Sequence, residues 1–195
     1  MQKRSIESRE KLLKAAYELF SEKGYYYTNT KEIVKRAGIS IGNFYNYFKD
    51  KGDIYNELAR EYIEGSEKAI AGLLEQLKGL DKEEGRAFLT EFMHRQLQRA
   101  TASGNFFDDS TIIAKESTDL IDIIREGEAR VTNVFEEFLK GQFTKKPEIS
   151  YAVMARMLYV TTNEVMNDMI NIEDEEYRRE YIQTLVDFIM NYAYE

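Results

Sequence analysis

Residues 40–51 concentrate side chains whose chemistry is hydrogen bonding and charge pairing rather than bond breaking. The segment reads Ser-Ile-Gly-Asn-Phe-Tyr-Asn-Tyr-Phe-Lys-Asp-Lys. Asparagine amides can hydrogen bond to the edges of bases, whereas tyrosine hydroxyls and lysine ammonium groups can hold phosphates. The residue types and their spacing therefore indicate contact with a nucleic acid.

Reactive and metal-binding side chains are scarce. The chain has no cysteine and a single histidine, His94. Disulfides, thiolate metal sites, cysteine nucleophiles and histidine clusters are thus excluded. The sequence also has no glycine-rich phosphate loop and no nucleophile elbow. We therefore expect a protein that is not an enzyme and that needs neither a metal nor a cofactor.

Charge is distributed unevenly along the chain. Residues 1–51 contain 11 Lys and Arg against 6 Asp and Glu, a net charge of +5. Residues 52–195 contain 16 and 29 of these, a net charge of −13, and the whole chain carries −8. A basic segment joined to an acidic one suggests that only the first meets a polyanion, although +5 is also within ordinary surface variation.

Helical periodicity runs through almost the whole chain, which contains one proline, Pro147. Apolar residues recur three and four positions apart, and no alternating strand pattern persists. We predict an all-α fold of about nine helices, the first three of them short, with the longest loop at 141–149. The predicted helices are 5–23, 30–37, 41–48, 53–78, 82–102, 110–115, 118–140, 150–171 and 174–194.

Membrane and export signals are not evident. The sequence has no run of about 18 apolar residues, and after Lys3 and Arg4 the N-terminus turns acidic and amphipathic where a signal peptide would need an apolar run. We expect a cytoplasmic protein.

The turn between the second and third helices has the composition of a helix-turn-helix. Gly38 permits the positive φ of a tight turn, Ala37 allows close approach, and Ile39 can anchor the turn in the core. Phe44 and Phe48 lie four residues apart and should face inward. The first residues of the third helix then project forward, as in helices that read the major groove.

The stretch from Lys11 to Leu58 resembles the DNA-binding domain of the TetR family of transcriptional regulators. The resemblance covers about a quarter of the chain, with many linked positions in order. The matching segments are Leu12–Ala16, Leu19, Phe20, Gly24, Thr30–Val34, Ala37–Ser40, Gly42–Lys51, Ile54 and Leu58.

This resemblance implies which residues contact DNA. Thr30 and Lys31 would begin the second helix near the DNA backbone and an adjacent base. Ser40, Ile41 and Asn43 would form the front of the recognition helix. The family often has lysine or another polar residue where this chain has Ile41, so contact with a thymine methyl is expected there instead of guanine reading.

Three further positions, Tyr45, Tyr47 and Lys51, match family positions that commonly touch phosphates. The alternative is structural: the tyrosines could be packed aromatics, and Lys31, Lys49 and Lys51 could be solvated surface residues.

The resemblance also divides the chain into a helix-turn-helix domain at 1–51 and a larger helical domain at 52–195. It implies a homodimer that binds a palindromic operator, usually as a repressor, and is released by a small-molecule effector. The candidate ligand-binding residues are His94, Gln98, Asn105, Tyr159, Asn163 and Met166. The candidate dimer-interface residues are Val153, Met157, Val160, Tyr181, Leu185, Phe188 and Tyr192.

Several alternatives remain open at this point. The apolar residues of the last two helices could form an intrachain core, and the candidate ligand-binding residues could simply pack. The acidic residues of the larger domain, among them Glu91, Asp108, Asp109 and Glu164, would permit a cationic ligand. A regulator of the same fold that answers to a protein partner is the alternative to ligand release.

Overall fold

The computed structural model describes residues 3–106, 109–142 and 148–193, and within these ranges it contains nine α-helices and no strand. The prediction of an all-α fold is confirmed. The helices are α1 Lys3–Lys23, α2 Thr30–Ala37, α3 Ile41–Phe44, α4 Lys51–Leu77, α5 Lys82–Ala102, α6 Ser110–Glu116, α7 Thr118–Gln142, α8 Tyr151–Ile170 and α9 Glu175–Ala193. A single 3₁₀ turn, Gly104–Phe106, lies between α5 and α6.

All the helix boundaries except the end of α3 lie within two residues of the predicted ones, and two of the differences affect the adjoining loops. Helix α3 ends at Phe44, where residue 48 was predicted, because the Tyr47 N–H donates to the Phe44 carbonyl (2.9 Å) and continues the chain as tight turns. Helix α7 continues to Gln142, into the predicted loop at 141–149. Residues 143–147 of that loop, including Pro147, lie outside the described residues, as does Asp108.

The chain forms two compact units. Unit 1 comprises Met1–Glu64 and Ser103–Arg125, and unit 2 comprises Gly65–Ala102 and Glu126–Glu195. Unit 1 therefore extends beyond residue 51 and includes a segment from far along the chain. The functional division between 1–51 and 52–195 stays a prediction.

Unit 1 is built on the buried face of α1. Leu12, Ala16 and Phe20 are fully buried at helical spacing. Helix α1 ends at Lys23 and is followed by Gly24 at a φ of 83°. Helix α2 and the 3₁₀ turn pack against α1, and Phe106 enters the same core.

Unit 2 has its own core. Helix α5 packs against α8 and α9, which also contact each other. Leu158, Met169, Val186 and Met190 are buried there. Among the described helices none has the length and apolar character needed to cross a bilayer.

Candidate nucleic-acid interface

The start of α2 is fixed by reciprocal hydrogen bonds. The Asn29 side-chain oxygen accepts from the Glu32 N–H (3.1 Å), and the Glu32 carboxylate accepts from the Asn29 N–H (3.0 Å). Lys23 Nζ lies 2.6 Å from the same carboxylate, and this contact and the Asn29 N–H hold the Glu32 pKa below its usual value. Half-buried Thr30 and exposed Lys31 therefore begin a well-anchored first turn.

The turn between α2 and α3 depends on Gly38, which has a φ of 67°. A side chain at this position would meet no atom within 4 Å, so the requirement is conformational rather than steric. The Ile39 N–H donates to the Val34 carbonyl (3.0 Å), and Ile39 packs against the unit 1 core. Both features agree with the predicted helix-turn-helix.

Helix α3 begins with a side-chain cap. The Ser40 hydroxyl oxygen accepts from the Asn43 N–H (3.2 Å). The Asn43 side-chain oxygen accepts from the Asn46 amide (3.2 Å). The side-chain N–H groups of Asn43 have no partner among the described residues, which leaves donors for a base edge or a phosphate.

One face of α3 is buried, and the opposite face is exposed to solvent. Phe44 is fully buried and Phe48 nearly so, which confirms the prediction that they face inward. Ile41 is 44% exposed and Tyr45 is 58% exposed. Gly42 has no neighbour within 4 Å of the place a Cβ would occupy. The front of α3 therefore presents an apolar and an aromatic side chain around a site with no side chain.

The side chains of Tyr47 and Lys51 are less exposed than that of Tyr45. Tyr47 is half-buried and packs against the unit 1 core. Lys51 Nζ donates to the Tyr25 carbonyl (2.8 Å) and lies 3.9 Å from the centre of the Tyr25 ring. Burial lowers the pKa of this ammonium group, opposed by the nearby carboxylate of Asp109. Lys51 thus has a structural partner in addition to any contact with phosphate.

Two exposed polar groups near these helices were not among the predicted contacts. Tyr27, just before Thr28 and Asn29, is 80% exposed. Asn46 is exposed and hydrogen bonded to Asn43. In the sequence, Tyr27 is the last of three successive tyrosines, and sequence position alone does not show which of the three is exposed.

Several cations of this region are free of acidic partners. Lys31, Lys35 and Lys49 are exposed and form no ion pair with any side chain in the described part of the chain. Arg36 instead pairs with Glu22 (2.5 Å), and that contact lowers the Glu22 pKa. The lysines, not Arg36, are thus available to a polyanion.

The candidate ligand-binding residues are scattered. His94 and Gln98 line one cleft of about 480 Å³ in unit 2. Half-buried Tyr159 lies under the Arg156 guanidinium, 5.3 Å from ring centre to Cζ, and burial raises its pKa. Met166 packs against the unit 2 core, and Asn163 is exposed.

Asn105 belongs to unit 1, where its amide donates to the Glu22 carbonyl (3.2 Å). The structure therefore brings only His94 and Gln98 together in a cleft.

The candidate dimer residues form a partly exposed apolar surface on unit 2. Met157 is 55% and Phe188 is 42% exposed, and Val153 and Val160 are also exposed. Half-buried Tyr192 stacks on Phe188, with ring centres 5.7 Å apart.

Tyr181 is also half-buried and stacks on Tyr177 (5.8 Å between ring centres). Leu185 was wrongly included, because it is only 4% exposed and lies in the core of unit 2, with no surface to offer a partner.

Comparison with known proteins agrees with the helix-turn-helix. Residues 12–58 match the model of bacterial regulatory proteins of the tetR family. The HTH-type transcriptional regulator HbdR of Aromatoleum sp. is 30% identical over 140 residues, which cover 69% of this chain and 57% of that protein. The first curated relatives are matched over only 43% to 66% of their own length.

Solved structures share the whole fold. A TetR-family regulator from Mesorhizobium loti superposes with a TM-score of 0.73 at 18% identity, covering 97% of this chain and 98% of that one. FadR from Bacillus subtilis, solved with stearoyl-CoA, gives 0.63 at 19% identity, covering 93% and 95%. The helix-turn-helix geometry, the family match at residues 12–58 and the shared all-helical fold lead to one conclusion: the chain belongs to the TetR family of transcriptional regulators.

Proposed function

We propose that this protein is a cytoplasmic, homodimeric repressor that binds a palindromic operator through residues 29–51. A small molecule bound within residues 52–195 releases it from DNA. The observation that carries the proposal is the exposed front of α3, where Ile41 is 44% and Tyr45 is 58% exposed and a side chain at Gly42 would meet no atom within 4 Å, while Phe44 is buried.

The exposed residues can be divided by the contacts they would make. Asn43 has side-chain N–H donors without a partner among the described residues, which suits reading of a base edge, and Ile41 suits contact with a thymine methyl. Lys31, Lys35 and Lys49 have no acidic partner within the ranges that the structure describes, and they suit phosphates, which fix the register of a protein on DNA. Thr30, Ser40, Tyr45 and Tyr47 would add hydroxyl contacts around them.

Dimerisation would give the protein the symmetry of its operator. A palindrome presents two equivalent half-sites, and a two-fold dimer presents two equivalent helices to them. The exposed apolar residues of α8 and α9, including Val153, Met157 and Phe188, supply a surface that favours self-association.

Two observations support ligand release. Unit 2 has a cleft lined by His94 and Gln98, and a protein of the same fold is solved with stearoyl-CoA. A regulator that answers to a protein partner remains the alternative, and it predicts no small molecule that weakens DNA binding.

The first experiment is selection of bound sequences from random duplex DNA with the purified full chain at about physiological salt. Enrichment of a palindrome, with half-sites about one helical turn apart, supports the proposal. The selected duplex is then titrated at several salt concentrations. We expect a steep loss of affinity, with a log–log slope reflecting roughly 6–10 phosphate contacts per dimer.

Two outcomes would contradict the proposal. One is the absence of any enriched sequence from protein refolded to remove bound ligand. The other is affinity that hardly changes with salt, because a helix-turn-helix held by phosphate contacts must lose affinity as counterions compete.

A further inference from the structure

We propose that the cleft between α5 and α9 binds an organic anion, namely a carboxylate or phosphate ester with a small apolar body. We further propose that this anion is the effector of the function proposed above. The second statement rests on that function, whereas the first concerns binding alone. The anion class is opposite to the cationic ligand that the acidic composition would permit.

The arginines of this cleft differ from others in unit 2. Most of the others pair with carboxylates, as in Arg86–Asp187, Arg95–Glu91, Arg130–Glu67 and Arg156–Glu128. Arg178 and Arg179 both line the cleft, and neither forms an ion pair with an acidic side chain in the described ranges. Two guanidinium groups without acidic partners, facing one cleft, are suited to a carboxylate or phosphate.

One of these arginines is held in place. The Arg178 Nε donates to the Ile172 carbonyl (3.0 Å), and an Nη of the same group donates to the same oxygen. A carbonyl orients the guanidinium without cancelling its charge. A half-buried, preoriented cation loses little side-chain entropy when an anion binds.

The remaining lining defines the rest of the ligand. Leu97 and Ala102 offer apolar surface, and His94 and Gln98 offer hydrogen-bonding groups. Glu175 is the one carboxylate among the described residues that line the cleft. The volume of about 480 Å³ lies in the range of small-molecule sites, roughly 300–1,000 Å³.

The cleft uses a different face of α9 from the candidate dimer surface. Arg179 is exposed, but it lies seven residues before Val186 and eleven before Met190, both fully buried, so it is on the same side of α9 as these two residues. Tyr177 and Phe188, eleven residues apart, lie on the exposed apolar side. Anion binding and dimerisation can therefore occur on the same helix.

The test is calorimetric titration of the full-length protein with three probes of similar shape: naphthoate, naphthyl phosphate and neutral naphthamide. We expect one anion per chain to bind, and to bind at least about tenfold more tightly than the amide, because the amide lacks the charge. Comparison of the two anions distinguishes a carboxylate site from a phosphate site.

Three variants locate the binding. Arg179→Gln should weaken anion binding at least about tenfold, whereas Arg95→Gln, the same change on an exposed α5 arginine outside the cleft, should not. Glu175→Gln should strengthen anion binding severalfold, because it removes a like charge from the lining. Arg178 is left intact because its contact with Ile172 supports the turn before α9.

The site is overturned if neither anion binds at about 1 mM, if amide and anions bind equally, or if Arg95→Gln weakens binding as much as Arg179→Gln. Failure of the proposed function looks different. The anions could bind with the expected variant pattern and yet leave the affinity of the protein for the selected duplex unchanged. In that case the anion site is supported, and its role as an effector site is contradicted. If no DNA is bound at all, the anion titrations still decide the site.

Discussion

Asn43 and Lys31 are both polar residues at helix starts, but their side chains can do different things on DNA. We predict that Asn43→Ala changes the preferred base at one position of each half-site, with a loss of about 1–3 kcal/mol in discrimination. Lys31→Ala should weaken all sequences alike and lower the salt slope by about 2 per dimer. Repeating the sequence selection and the salt titration on both variants measures this. Equal behaviour of the two variants would contradict the division into base and phosphate contacts.

Lys51 combines a structural contact with its candidate role on DNA. Its ammonium donates to the Tyr25 carbonyl and lies over the Tyr25 ring. Lys51→Ala should therefore lower the free energy of unfolding by about 1–2 kcal/mol, measured by urea denaturation. Lys49→Ala is the matched control, because Lys49 is exposed and its side chain has no acidic partner in the described part. An unchanged unfolding midpoint in Lys51→Ala would show that the Tyr25 contact is not significant for stability.

The Tyr26 phenol should lose its proton at an unusually high pH. Removal of its phenol from water, followed by its hydrogen bond to Glu116 (2.9 Å), raises its pKa to about 12. Folding favours the neutral phenol, so its stabilising effect is present below the ordinary pKa near 10 and is lost as pH rises through about 12. In a pH titration, phenolate absorbance should show a step at high pH. Tyr26→Phe should remove this step, and Glu116→Gln should shift it to lower pH. An unshifted step in Glu116→Gln would contradict this assignment.

Among the elements, the turn at 24–27 and helix α6 are joined through Asp109. Its carboxylate accepts from the Tyr25 N–H (3.0 Å), and a side chain at Gly24 would lie 3.1 Å from the same oxygen. Asp109→Ala should lower the free energy of unfolding by about 1–2 kcal/mol, since it removes a charge-assisted hydrogen bond to a backbone N–H. Asp119→Ala, an exposed acidic residue in the first turn of α7, is the comparison. Equal effects of the two substitutions would rule out a special role for the Asp109 contact.

Helix positions followed from local signals, and this is why they were predictable. The left-handed Gly38 depends only on neighbours in sequence and is present as predicted, and the capping box at Asn29 arises from equally local residues. The length of α3 was not predictable in this way. Tyr45 and Tyr47 are compatible with a longer helix, but after Phe44 the backbone hydrogen bonds continue as tight turns.

For the whole molecule, the property to test is the oligomeric state. We predict that Met157→Asp combined with Phe188→Asp produces monomers, because each change would place a charge in the proposed apolar interface at a cost of about 2 kcal/mol or more. Ile112→Asp, an exposed apolar residue of unit 1, is the control. Sedimentation velocity should show a dimer for the control and a monomer for the double variant. A double variant that stays dimeric would place the interface elsewhere.

Contacts distant in sequence set the limit of what could be predicted for the molecule as a whole. Leu185 has the same apolar spacing as Phe188, and only packing shows that one is buried and the other exposed. Arg178 and Arg179 look like ordinary surface charges in a sequence. Among residues 3–106, 109–142 and 148–193 neither has an acidic partner, and both face the same cleft as His94, which depends on how α5 and α9 are arranged.

Phe106 has a consequence for how such proteins can be recombined. Its ring is fully buried and stacks on Tyr55 with ring centres 5.0 Å apart, and the Tyr55 hydroxyl donates to its backbone carbonyl. A segment that ends before residue 103 would contain α1, α2 and α3 but lack the Phe106 ring, which would leave a cavity in the core of unit 1. Chimaeras that graft only the first sixty residues onto another regulator should thus fold poorly, whereas grafts that also bring 103–125 keep this core intact. The portable unit for transferring the proposed DNA-binding function is therefore discontinuous in sequence.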